Sequence, residues 1–126
     1  MVIGVGIDML DISRIVDKLN DEKFMTRIFT KSERRYIEGR GKASAESAAG
    51  IFCAKEAFGK ATGEGLPIAL AFSEVCHDAM GRPFFYLSGR ASEKYSGCRI
   101  ELSITHTGSV AAAVVVIDET EARGSD

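Results

Sequence analysis

The segment Ala111-Ala112-Ala113-Val114-Val115-Val116 constrains the fold more than any other part of the chain. It is small and β-branched enough for a strand, yet it lacks the apolar–polar alternation of a strand with one wet face. Both of its faces need cover. A chain of 126 residues holds one domain with one core, so a subunit interface is the expected cover for the second face. Val2 to Ile7 reads as another buried strand, punctuated by glycines and stopping at Asp8.

Between these strands the pattern is helical. Ile12, Ile15, Val16 and Leu19 recur at helical spacing, and a short turn follows around Phe24 and Ile28. Thr30-Lys31-Ser32-Glu33 has the form of a capping box opening a helix that Gly39 ends. Ser44 to Thr62 is the longest helical stretch, rich in alanine, with Gly63 suited to the position just past its end. Beyond it the periodicity turns to strands: Ala71 to His77 pairs with Pro83 to Leu87, Ser88 caps a short helix through Tyr95, and Arg99 to Ile104 pairs with Ser109 to Ile117. The order predicts an α+β fold, an antiparallel sheet with helices on one face, as a single domain over 1–126 with a polar tail from Asp118.

Composition removes several classes of function. Sixteen Lys and Arg against eighteen Asp and Glu give a net charge of −2, which does not suit binding to nucleic acid by bulk charge. No apolar run reaches the roughly 18–20 residues of a membrane span, and Met1-Val2-Ile3-Gly4 lacks the basic start of a signal peptide. Three cysteines, an odd number without a paired motif, fit reduced thiols in a cytoplasm.

Two carboxylates stand where apolar groups are expected. Asp8 closes the first strand, either pointing into a cleft or serving as a turn or cap residue for the next helix. Glu56 shares a helix stripe with Phe52 and Cys53 and needs a partner there, either a cation or Lys60 one turn on. Should Asp8 and Glu56 converge, two hard oxygen ligands with room for water and phosphate describe a Mg²⁺ site. Lys42, Lys55 and Lys60 lie on or just before the same helix, which runs into Gly63-Glu64-Gly65; lysines beside glycines suit a phosphate, and equally an ordinary helix end with solvated lysines. Neither Gly39-Arg40-Gly41-Lys42-Ala43 nor Gly4-Val5-Gly6 completes a phosphate-loop or dinucleotide fingerprint.

Ser103-Ile104-Thr105-His106-Thr107-Gly108 places a histidine among hydroxyls in a tight turn, a set able to hold a phosphate or simply to stand exposed. The cysteines and histidines lack the paired spacing of a zinc site.

Taken together, Gly6-Ile7-Asp8 with Arg14-Ile15, Phe52-Cys53-Ala54-Lys55-Glu56-Ala57-Phe58-Gly59-Lys60-Ala61, Gly81-Arg82-Pro83 and Ser103-Ile104-Thr105-His106-Thr107 resemble the small bacterial holo-[acyl-carrier-protein] synthases of the 4′-phosphopantetheinyl transferase superfamily. The resemblance spans almost the whole chain. It implies transfer of 4′-phosphopantetheine from coenzyme A to a serine of apo-acyl carrier protein, serving fatty acid biosynthesis, with Mg²⁺ as cofactor. It implies Asp8 and Glu56 as catalytic metal ligands and Lys60 at the pyrophosphate. Lys42, Gly63 and Gly65 would lie at the coenzyme, and Ser103, Thr105 and His106 would reach it from a neighbouring subunit of a homotrimer. Arg14, Lys18 and Arg27 would dock the acidic carrier, although Lys18 and Arg27 also read as ordinary solvated charge. Two positions depart from the family pattern. Ile51 replaces a basic residue, so that Lys42 or Arg40 substitutes for it or coenzyme A binds more weakly, and Glu64 replaces a threonine between two glycines.

Overall fold

The computed structural model describes residues 1–120. Five strands and six helices follow in the order β1 (Val2–Asp11), α1 (Ser13–Val16), α2 (Glu22–Ile28), α3 (Lys31–Glu38), α4 (Ser44–Thr62), α5 (Leu66–Phe72), β2 (Ser73–His77), β3 (Pro83–Leu87), α6 (Gly89–Lys94), β4 (Cys98–His106) and β5 (Val110–Glu119), with a 3₁₀ turn at Gly41–Ala43 before α4. The strands form two antiparallel sheets, one of order β1-β5-β4 and a two-stranded β2-β3 hairpin. The expected α+β class holds, with the strands divided between two sheets.

The doubly apolar segment is the central strand of the larger sheet. Ala111, Ala113, Val115 and Ile117 are buried on the side that carries α4. Their alternates Val110, Ala112, Val114 and Val116 are only half-covered. On the same outer face β1 presents Val5, Ile7 and Met9, at 59, 64 and 68% exposure, opposite Val116, Val114 and Ala112. One face is therefore packed within the chain, and the other is an open apolar surface.

α4 is buried nearly all round, from Ala48 to Gly59. Small residues make this possible. A Cβ on Gly4 would stand 2.2 Å from the Ala61 carbonyl oxygen, and one on Gly6 would stand 1.9 Å from that of Ala57. The two glycines let β1 lie directly on the α4 backbone. Thr30 and Glu33 form the expected capping box, and Gly63 ends α4 at φ +78°.

Several expectations are corrected. β1 does not stop at Asp8 but runs to Asp11, because Asp8 finds a partner on α4 and the ladder to β5 continues beneath it. The helix expected over Ile12 to Leu19 is a single turn, α1, followed by turns. Leu66 to Phe72 is helical, so β2 starts at Ser73 instead of Ala71. Asp118 and Glu119 belong to β5, with Arg99 Nη2 3.6 Å from Asp118, so no polar tail starts there; the remainder of the expected tail, from 121, lies outside the described residues. Ser88 occupies the cap position of α6 without a side-chain capping bond.

Candidate active site

Asp8 lies mid-strand on the face of β1 that carries Gly4, Gly6 and Leu10, so its side chain points at α4; the turn or cap reading is thereby excluded. Because Gly6 brings the strand against Ala57, Asp8 meets the α4 stripe of Cys53, Glu56 and Lys60, spaced three and four residues apart. Lys60 Nζ lies 3.2 Å from Asp8 Oδ1 and donates to the Ile7 carbonyl oxygen at 2.9 Å. The alternative pairing of Lys60 with Glu56 is not made. Among the described residues no donor bonds the Glu56 carboxylate; burial, and then the Asp8 charge, raise its proton affinity, against the opposing pull of Lys60.

Cys53 borders the same carboxylates. Burial, followed by Asp8, pushes its thiol up to about 12. It therefore stays protonated near neutral pH and is no nucleophile; its sulfur lies 3.6 Å from the Ala111 carbonyl oxygen. The centre thus holds two converging carboxylates, one ammonium and a neutral thiol. Two like charges that repel each other, on an all-oxygen donor pair, fit a hard divalent cation. Among the described residues no group of three or more metal-ligating side chains gathers. A Mg²⁺ ion commonly takes one or two carboxylates and completes its shell with water and phosphate oxygens.

Beside this centre, α4 runs into a loop built on glycines at φ +78° (Gly63) and +82° (Gly65), where Gly65 N donates to the Gly59 carbonyl. Glu64 does not project bare charge at this loop. Arg90 and Lys94 of α6 hold it at 2.7 and 3.0 Å, and these bonds lower its proton affinity.

Lys55 is not a solvated lysine but is fully buried against Glu33 at 2.9 Å, so it is unavailable to a phosphate. Lys42 is exposed on the 3₁₀ turn. Ser103 and Thr105 pair with Val114 and Ala112 and so point to the outer apolar face. His106 alternates to the other side, beside Glu46 at 3.9 Å. Strand alternation thus separates the three residues expected to act together. His106 makes no hydrogen bond or ion pair with Asp8, Glu56 or Lys60 of its own chain. Instead it lines a cleft of about 220 Å³ with Tyr36, Arg40, Ser47, Ile51 and His77.

In that cleft the rings of Tyr36 and His77 stack at 3.8 Å, and Arg40 lies 5.6 Å from the Tyr36 centroid while donating to Ser47 at 3.2 Å. Burial, followed by Arg40, lowers the proton affinity of His77. Ile51 is buried at the cleft wall. Of the two cations expected to replace a basic residue there, Arg40 lines this cleft and Lys42 does not. Arg14, Lys18 and Arg27 are exposed on α1, the following turn and α2, interspersed with Asp17, Asp21 and Glu22. The Tyr36–His77 stack and the buried Lys55 escaped sequence reading; an aromatic and a histidine 41 positions apart give no local signal.

A β1–α4 contact that carries two carboxylates and a lysine, on an α+β scaffold with an open sheet face, describes an enzyme of phosphate-ester chemistry. Residues 4–115 match the family model described as the 4′-phosphopantetheinyl transferase superfamily, and the chain belongs to that superfamily. It is 44% identical over 122 residues to the holo-[acyl-carrier-protein] synthase of Treponema denticola, covering 94% of this chain and 99% of that one. Among solved structures it is similar to a holo-(acyl-carrier-protein) synthase from Bacillus anthracis in complex with CoA (3′,5′-ADP), with a TM-score of 0.80 at 36% identity over 95% of this chain and 99% of that one. The synthase from Neisseria meningitidis gives a TM-score of 0.82 at 30% identity, over 94% and 99%.

Proposed function

We infer that this chain is a phosphopantetheinyl transferase that moves 4′-phosphopantetheine from coenzyme A to a serine of apo-acyl carrier protein. The observation that carries the reading is the convergence of Asp8, Glu56 and Lys60 where β1 meets α4, in a chain matched to the superfamily over 4–115. The serine oxygen forms a bond to the β-phosphorus and its proton passes to solvent water. The bond from that phosphorus to the bridging oxygen breaks, and adenosine 3′,5′-bisphosphate leaves with that oxygen. A Mg²⁺ ion held by Asp8 and Glu56 would supply neutralisation of the pyrophosphate charge. Lys60, half-exposed and on a flexible stem, turns its ammonium from Asp8 toward the phosphate oxygens and stabilises charge on the leaving group.

The remaining assignments follow from the same reading. Gly63 and Gly65 shape the loop nearest the coenzyme, and Lys42 approaches its phosphates from the 3₁₀ turn. Arg14, Lys18 and Arg27 offer cations to an acidic carrier. A homotrimer is supported by the open face of Val5, Ile7 and Met9, which asks for a second copy. It is also supported by His106 having Glu46 and the Thr107 carbonyl, and not its own chain's Asp8 or Glu56, as partners, since a neighbour would bring His106 to the coenzyme. A place in fatty acid biosynthesis follows from the carrier substrate. A cytoplasmic site agrees with the cysteine usage, and no described helix is long and apolar enough to cross a membrane.

Intact-mass spectrometry of an apo-acyl carrier protein mixed with this chain, coenzyme A and Mg²⁺ tests the reading. The expected result is a gain of one phosphopantetheine, abolished by EDTA. No gain with several carriers at high coenzyme concentration replaces the enzyme with a module that binds without reacting.

A further inference from the structure

Among the described residues, the most deeply buried charges lie outside the candidate site. Glu33 on α3 and Lys55 on α4 are both fully buried and pair at 2.9 Å. Glu33 Oε1 also accepts from Thr30 N at 2.9 Å and Oε2 from Val75 N at 2.6 Å, while Lys55 Nζ lies 3.4 Å from the Ser73 carbonyl oxygen. One carboxylate therefore ties the start of α3, the middle of α4 and β2 to a single point. A buried ion pair contributes little net stability beyond what well-packed apolar residues would give, because desolvation of both charges offsets most of their attraction. It does contribute direction. Apolar side chains tolerate a small roll of a helix about its axis, whereas a multiply hydrogen-bonded ion pair does not.

Lys55 immediately precedes Glu56. Successive side chains leave a helix about 100° apart, so anchoring Lys55 fixes the direction in which Glu56 emerges. On another side of α4, Gly4 and Gly6 press β1, and Asp8 with it, onto the backbone at Ala57 and Ala61. The helix is clamped by a hydrogen-bonded charge on one flank and by backbone contact on another. We infer that the Glu33–Lys55 pair is a positioning device for Glu56, setting the roll of α4 so that its carboxylate meets Asp8. The inference deepens the reading of Asp8 and Glu56 as a cation-holding pair and rests on it.

The test uses the full chain carrying Glu33→Gln together with Lys55→Met. The amide keeps an acceptor for a backbone N–H, the thioether fills the space of the lysine stem, and no lone charge is left in the core. Three quantities are read: melting without metal, the midpoint of Mg²⁺-dependent thermal stabilisation, and the coenzyme KM in the transfer assay at Mg²⁺ saturating for each chain. The metal-free variant is expected to melt cooperatively. Its Mg²⁺ midpoint is expected to rise by about tenfold, the scale for loss of a group that orients a ligand, with coenzyme KM within about twofold of the native chain. A variant with the native Mg²⁺ midpoint overturns the inference. So does one in which Mg²⁺ midpoint and coenzyme KM worsen in parallel, since that marks a purely structural pair. If the double variant does not fold, Glu33→Asp retains the charge while shifting the anchor, and the same split between Mg²⁺ and coenzyme must appear at about threefold. A native chain whose melting ignores Mg²⁺ removes the cation reading itself and this inference with it, and that control separates the two failures.

Discussion

Lys60 reaches across from α4 to β1, its Nζ 3.2 Å from Asp8 Oδ1, and makes no ion pair with Glu56 one turn back on its own helix. The second contact, to the Ile7 carbonyl, explains the choice: two oxygen acceptors of one strand lie together, whereas Glu56 offers one carboxylate. The result is an ion-paired Asp8 beside a Glu56 that feels the Lys60 charge without a direct bond to it. An ammonium in that position is available to an incoming phosphate, and Asp8 is then free for a cation.

Lys60→Ala is accordingly expected to reduce kcat for phosphopantetheine transfer by about 10²–10³-fold, the scale of a lost charge-stabilising donor. Its melting temperature should shift little, because a pair with one partner half-exposed contributes only about 0–1 kcal/mol. Steady-state kinetics alongside a thermal melt separate the two effects. Native turnover in the variant would remove Lys60 from the catalytic machinery.

Glu56 should cost the metal-free protein stability at neutral pH. Burial and the Asp8 charge raise its folded-state proton affinity above the unfolded value. Its contribution is therefore fully present below the unfolded pKa and is lost as pH rises through the folded one. Glu56→Gln removes the unfavourable ionised form, so the metal-free variant is expected to melt roughly 2–5 °C above the native chain at pH 7. The gain should shrink as pH falls through the carboxylate range, and stabilisation by Mg²⁺ should vanish. A variant that melts lower at pH 7 and gains on acidification contradicts the sign.

Which parts of this were legible in the sequence depends on how local their physics is. The Thr30–Glu33 capping box and the Gly63 end of α4 are decided within four or five residues and were readable. Glu56 was readable as a misfit on an apolar stripe. Asp8 was half-readable: a carboxylate in a strand looks like a stop, and only a lysine 52 positions away allows the ladder to continue. Leu66-Pro67-Ile68-Ala69-Leu70-Ala71-Phe72 has no polar face, so its last two residues read as the start of the next strand, yet Pro67 in its first turn suits a helix and burial decides the outcome. Glu33 already had a local use as a cap, which hid its second role as the counter-ion of Lys55. Ser103, Thr105 and His106 looked like one turn, and the extension of β4 to His106 divides them between two faces.

The approach of β1 to α4 should fail at one atom. Gly6→Ala places a Cβ 1.9 Å from the Ala57 carbonyl oxygen and 2.8 Å from Ala61 N, and neither is the tip of a side chain that can swing away. The strand must lift off the helix, at a cost of about 3 kcal/mol by the scale of overpacked cores. Because Asp8 is two residues on, transfer activity should fall more than the fraction unfolded accounts for. Denaturant unfolding paired with activity at a temperature where the variant remains folded reads both. A variant within about 0.5 kcal/mol of native would mean that the strand and helix have slack at this contact.

The outer sheet face offers the sharpest test of assembly. Val5 is 59% exposed and sits opposite Val116, with Glu101 next across the sheet. Within one chain, Val5→Glu meets water and costs little. Buried against an apolar face of a second copy, the same carboxylate would be desolvated, at a cost of about several kcal/mol. The native chain is expected to sediment as a trimer, and Val5→Glu as a folded monomer with a native-like circular dichroism spectrum. If His106 of a neighbour serves the Asp8–Glu56 centre, the monomer should also lose transfer while retaining both carboxylates and Lys60. Mixing it with an Asp8→Ala chain restores no activity unless the two associate. A Val5→Glu chain that remains trimeric would place the interface elsewhere, and a monomer with full transfer would show that one chain supplies the whole site.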